Sequence, residues 1–102
     1  MNYDKMYPSL DLHGEYKFSA EILVKEFIND QISLHNKKFC IIHGIGKGIV
    51  RKTVHEVLKN DKRIKSYYID FFNPGCTIVE IKEKLWVNLS LYQDQVVLVK
   101  VP

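Results

Sequence analysis

Residues 41–51 read Ile-Ile-His-Gly-Ile-Gly-Lys-Gly-Ile-Val-Arg, and no other stretch limits the fold so sharply. An apolar, strand-like run ends in His43, and Gly44, Gly46 and Gly48 follow at every second position before an apolar pattern of helical period begins. Glycine tolerates positive φ and leaves amide N–H groups open to an approaching anion, while the start of a helix turns its positive dipole end the same way. The segment therefore predicts a strand, a phosphate-handling turn and a helix. Two familiar glycine motifs are excluded by position. A dinucleotide fingerprint needs its third glycine where Ile49 stands, and a P-loop needs glycine at Ile41 and Ser or Thr at Gly48.

The rest of the chain supplies a small domain around that turn. With 102 residues, of which 46% are hydrophobic, it can bury one modest core and is too short for two. The first residues lack an apolar leader, and no run approaches the length that spans a bilayer, so the expectation is a cytoplasmic protein without a membrane partner. Cys40 and Cys76 lack metal-ligand spacing and read as small buried apolar residues. A formal net charge of +3 is compatible with a nucleic-acid partner without requiring one.

Periodicity predicts an α/β domain with the order β-α-β-α-β-β. Residues 10–13 form a short strand. Residues 19–35 form a helix with Ala20, Leu23, Val24, Phe27 and Ile28 on one face, capped by Ser19 and stapled by Phe18 on Leu23. Residues 38–43 form a second strand, and residues 49–59 a helix presenting Val50, Val54, Val57 and Leu58. Strands at 64–71 and 77–82 are separated by the turn Asn73-Pro74-Gly75. Residues 1–82 make the domain and 83–102 a C-terminal β-hairpin extension packed on it. In that extension Leu85, Val87, Leu89, Leu91, Val97 and Val99 alternate about a turn at 92–95.

A right-handed strand–helix–strand unit places the first two strands parallel, with their C-terminal ends at the edge where α/β sheets bind ligands. Asp11 and His13 then share one side of the first strand, and His43 ends its neighbour about 5–10 Å away. A carboxylate and two imidazoles can remove and supply protons near neutrality. In RNA, whose 2′-OH is an internal nucleophile, that suffices to cut a phosphodiester without a metal or other cofactor. Lys47, Arg51 and the amides of Gly44, Gly46 and Gly48 are the candidates for stabilising phosphate charge.

Leu10-Asp11-Leu12-His13-Gly14, the loop His43-Gly44-Ile45-Gly46-Lys47-Gly48-Ile49-Val50-Arg51 and the strand Gly75-Cys76-Thr77-Ile78-Val79-Glu80-Ile81 occur in the order found in the small MutS-related (Smr) domain. The chain resembles that family over roughly residues 9–82. Two departures stand out: Ile45 occupies a position where many relatives carry lysine, and residues 83–102 run past the usual end of the domain. The resemblance implies a fold similar to the C-terminal domain of translation initiation factor three, a two-layer α+β sandwich with a mixed sheet. It implies nucleic-acid partners, since the family includes DNA-nicking endonucleases and mRNA-cleaving factors that act at collided ribosomes. It also implies Asp11, His13 and His43 as catalytic residues, the D-x-H form of the first box being associated with cleavage. The expected activity is endonucleolytic, with RNA preferred. Nicking of branched DNA, or binding to nucleic acid or the ribosome without cleavage, are the alternatives.

Three features stay open on the sequence alone. Arg51, His55 and Lys59 recur every four residues, either as a stripe that tracks phosphates or as a solvated helix face. His35 sits at a helix C-terminus, where a cationic ring suits the dipole. The run Tyr67-Tyr68-Ile69-Asp70-Phe71-Phe72 cannot all face inward, and rings left outside could stack unpaired bases.

Overall fold

The computed structural model describes residues 7–83, together with the backbone of 86–88 and 98–100. In chain order the elements are β1 (Ser9–Asp11), α1 (Lys17–Ser33), β2 (Lys38–Ile42), α2 (Ile49–Lys59), β3 (Ile64–Ile69), β4 (Cys76–Ile81), β5 (Trp86–Asn88) and β6 (Leu98–Lys100). The first four strands form one mixed sheet in the order β1-β2-β4-β3. β1 runs parallel to β2, as the crossover through α1 requires, and the β2–β4 and β3–β4 pairs are antiparallel. β5 and β6 pair with each other as a separate two-stranded sheet. The expected turn at 92–95 and the packing of the extension lie outside the described residues.

Alternation along the strands decides which side is core. Phe39 and Ile41 of β2 and Val79 and Ile81 of β4 join Ala20, Val24 and Ile28 of α1 and Val54 and Leu58 of α2 in one buried cluster. Both helices therefore cover the same face of the sheet. Burying side chains of this kind stabilises by about 1.5–3 kcal/mol each, which makes this layer the main source of stability. Cys40, Cys76 and Ile78 point to the other face and are buried as well, which explains why the central strands read as continuous apolar runs.

Local details depart from the sequence reading at element ends. α1 begins two residues before Ser19, after an N-cap at Tyr16. Ser19 acts from inside the first turn, its Oγ accepting from the Tyr16 N–H and donating to the Tyr16 carbonyl, both at 3.1 Å. Phe18 is exposed rather than stapled onto Leu23. At the other end His35 takes the left-handed conformation, φ 61°, while its N–H and that of Asn36 reach the Ile32 and Gln31 carbonyls. This is a Schellman closure with histidine where glycine is usual. β3 stops at Ile69, so Phe71 and Phe72 belong to the following loop.

Candidate active site

The C-terminal ends of β1 and β2 open into a cleft of about 430 Å³. Asp11, His13 and Glu15 line one wall, and residues 43–51 form the other. The wall from β1 is set by a turn. Beyond Asp11 the strand ends, the Glu15 N–H closes on the Leu12 carbonyl at 3.0 Å, and Gly14 takes φ 77°, the pattern of a type II turn. Asp11 Oδ1 accepts the backbone N–H of His13 at 2.9 Å. The carboxylate thus holds the turn rather than the imidazole, and both side chains are exposed to the cleft. Glu15, which belongs to none of the sequence motifs, adds a second carboxylate to this wall.

The opposite wall is the glycine turn that leads into α2. Gly44, Gly46 and Gly48 all have positive φ, at 82°, 26° and 79°. Lys52 is the first residue to close α2, its N–H reaching the Gly48 carbonyl at 2.9 Å, so the amides at 49–51 have no helical acceptor. The first turn holds no acidic side chain that would occupy them. Arg51 folds back over Gly48, and among the described residues neither Arg51 nor Lys47 forms an ion pair with a carboxylate. Free N–H groups, a helix dipole and two uncompensated cations converge on one cleft. Gly44 differs from the expected role. Its N–H and that of His43 both donate to the Gly75 carbonyl, at 3.0 and 2.9 Å, which fastens the loop to the β3–β4 connection and leaves the Gly44 amide unavailable to a ligand.

His43 also departs from the expected cluster. It continues the Phe39–Ile41 series and so faces α2, whereas Asp11, paired in register with Ile42, faces the other side of the sheet. Its ring is buried, with Nδ1 2.8 Å from the Gly44 carbonyl and Nε2 2.8 Å from Thr77 Oγ1. A carbonyl only accepts, so Nδ1 carries the proton and the neutral ring accepts the Thr77 hydroxyl at Nε2. Thr77 Oγ1 in turn accepts from His55 Nε2 at 2.8 Å. Burial holds both imidazoles below their usual value of 6.5. For His43 the nearby Arg51 adds to the effect, and for His55 both His43 and Arg51 do.

His55 is therefore not on a solvated stripe. Its ring packs 5.2 Å from Tyr67 and 6.0 Å from His43, turned inward by the hydrogen bond to Thr77. Lys59 stands in the last turn of α2, far from the glycine loop that Arg51 overhangs. Asp11 lies near the buried thiol of Cys76, whose pKa is raised by burial and then by the charges of Asp70 and Asp11. Thr77 escaped the sequence reading, although one signal was available: a hydroxyl at a core-facing position of a buried strand needs a partner.

Comparison with known proteins agrees with the fold. A family model for the Smr domain matches residues 10–82. The chain is 37% identical over 76 residues to the endonuclease MutS2 of Geobacillus sp. (strain WCH70), covering 72% of this chain and 10% of that protein. It is 36% identical over 78 residues to the endonuclease MutS2 of Halothermothrix orenii, covering 74% and 10%. The chain thus spans about a tenth of the length of these relatives. Among solved structures, the Smr domain of Thermus thermophilus MutS2 superposes with a TM-score of 0.71 at 26% identity, covering 74% of this chain and 98% of that one. YdaL, a stand-alone small MutS-related protein from Escherichia coli, gives 0.70 at 23% identity, covering 74% and 64%.

Proposed function

The chain belongs to the Smr domain family, and from that premise we propose that it is a nucleic-acid endonuclease, with RNA preferred over branched or nicked DNA. The observation that carries the reading is the cleft itself, where the exposed Asp11 and His13 face a glycine loop with open amides and two cations that have no carboxylate partner among the described residues. A phosphate held by Lys47, Arg51 and the amides of Gly46 and Gly48 presents its flanking ribose to the opposite wall. One of the two exposed groups takes the proton of the 2′-OH, whose oxygen attacks phosphorus. The other protonates the departing 5′ oxygen. The products are a 2′,3′-cyclic phosphate and a 5′-hydroxyl, with atoms and charge balanced and no external nucleophile. His43, with both nitrogens engaged, serves in this scheme as the anchor of the loop rather than as a proton carrier.

A second reading, a module that grips nucleic acid without cutting, is favoured by that same withdrawal of His43. Incubating single-stranded RNA, duplex RNA and branched DNA in parallel with the intact protein and with an Asp11→Ala, His13→Ala double variant separates the two. Cleavage of RNA by the intact protein alone supports the enzyme. Equal binding by both proteins with no cleavage by either supports the module.

A further inference from the structure

The loop between β3 and β4 holds two large apolar rings in water. Phe71 is 90% exposed and Phe72 77%, the rings meeting edge to face with centroids 5.1 Å apart. Hydrogen bonds within the turn hold the loop. Asp70 Oδ1 accepts the Phe72 N–H at 2.9 Å and Asn73 Oδ1 the Gly75 N–H at 3.0 Å. The Asp70 N–H closes on the Cys76 carbonyl at 2.9 Å, and the Cys76 N–H on the Asn73 carbonyl at 3.0 Å. Two phenylalanines presented on a pinned turn lose little conformational entropy on meeting a partner, whereas their exposure to water is unfavourable until they do.

Their position relative to the cleft is fixed as well. Gly75, three residues beyond Phe72, gives its carbonyl to the N–H groups of His43 and Gly44. A Cβ on Gly75 would lie 3.4 Å from the Gly44 Cα, so the two backbones touch. The aromatic pair is therefore rooted at the first residue of the anion loop, with Phe72 at most about 11 Å along the chain from that root. A partner that uses both features must offer anionic groups to Lys47 and Arg51 and flat π faces to the rings.

We propose that Phe71 and Phe72 form a stacking subsite for unpaired bases next to the phosphate held at the glycine loop, so that the substrate is single-stranded at the point of engagement. The proposal rests on the reading of the cleft as a phosphate site. A duplex keeps its base faces stacked on one another and has none to offer, whereas a single strand supplies a face at every nucleotide.

The test is binding of one labelled RNA sequence, as a single strand and annealed to its complement, at two salt concentrations. It compares the intact protein, the Phe71→Ala, Phe72→Ala variant, a Phe72→Trp variant and a Lys47→Ala, Arg51→Ala variant, each checked for an unchanged melting temperature. Loss of the two rings should weaken single-strand binding by about tenfold or more. It should leave duplex binding within about twofold and the salt dependence unaltered, and tryptophan at 72 should retain affinity. Unchanged single-strand affinity, or an equal loss on both forms, overturns the subsite. So does altered self-association with unchanged RNA affinity, which would assign the rings to a second copy of the chain. If the lysine–arginine variant keeps its full salt dependence while the phenylalanine variant loses single-strand affinity, the stacking subsite stands and the reading of the cleft fails.

Discussion

His43 accepts the hydroxyl of Thr77 at Nε2, at 2.8 Å, and this single contact fixes which nitrogen of the ring points at the glycine loop. With Nε2 occupied, Nδ1–H donates to the Gly44 carbonyl, and the backbone of the loop is held from the protein interior. His55 completes the arrangement by donating to the same hydroxyl, so that Thr77 is both donor and acceptor between two neutral imidazoles.

Replacing Thr77 by valine keeps the shape of the side chain and removes both hydrogen bonds. Two imidazole nitrogens are left without partners in a semi-buried setting, which should lower stability by about 1–3 kcal/mol. The loop should also loosen, weakening nucleic-acid binding, although Thr77 faces the interior and is fully buried. Serine at the same position should retain most of both properties. Urea denaturation and anisotropy binding on the two variants check this, and a valine variant as stable and as tight-binding as the original would contradict it.

The same pair of rings makes the fold sensitive to acid. In the unfolded chain both titrate near 6.5, whereas in the folded protein burial lowers them. Their contribution is complete above about pH 6.5 and is lost as the pH falls through the lowered folded values, because the unfolded state takes up protons first. Asp61, lowered from 3.8 chiefly by its hydrogen bonds with Arg63, contributes in a more acidic window and does not confuse the comparison. The urea midpoint should fall between pH 7.5 and pH 5, and the fall should shrink in a His55→Gln variant. A midpoint that is flat or rises on acidification would rule out the neutral pair.

Gly48 and Gly46 should respond differently to the smallest side chain. At Gly48, φ is 79° and an added Cβ would sit 3.0 Å from Arg51 Nη2, so alanine there strains the N-cap and displaces the guanidinium. At Gly46 φ is 26° and no atom lies within 4 Å, so the cost of alanine is conformational alone. Each substitution should destabilise by about 1–2 kcal/mol. Only Gly48→Ala should reduce the salt slope of binding by about one unit, the value of one phosphate contact. Equal salt slopes in the two variants would remove Arg51 from the phosphate site.

Much of this arrangement is legible in the chain because it follows from period and chirality. α2 was readable to the residue from Val50, Val54, Val57 and Leu58, and the parallel pairing of β1 with β2 follows from a right-handed crossover through α1. The glycine loop announced its own positive φ angles. What pattern could not convey is which side of the sheet each catalytic candidate occupies. Asp11 and His43 sit on neighbouring strands but at positions of opposite parity in register, one level with Ile42 and the other continuing Phe39 and Ile41. His13 leaves the alternation altogether because the turn at Gly14 intervenes. Thr77 and Gly75 reach the loop only through contacts that span 34 and 31 positions of sequence, to His43 and Gly44, and no local spacing reports such contacts.

In the proposed reaction Asp11 and His13 drive attack by the substrate's own 2′-OH on a phosphate held by the loop. The most direct measurement is cleavage, in the presence of EDTA, of an RNA strand carrying a single 2′-deoxynucleotide at the position of a mapped cut, with end-group analysis of the products. The unmodified strand should be cut to a 2′,3′-cyclic phosphate and a 5′-hydroxyl, the deoxy substitution should abolish that cut alone, and Asp11→Asn and His13→Ala should each remove most of the activity. Cleavage that persists at the deoxy position, or that leaves a 3′-hydroxyl and a 5′-phosphate only when magnesium is supplied, would contradict it.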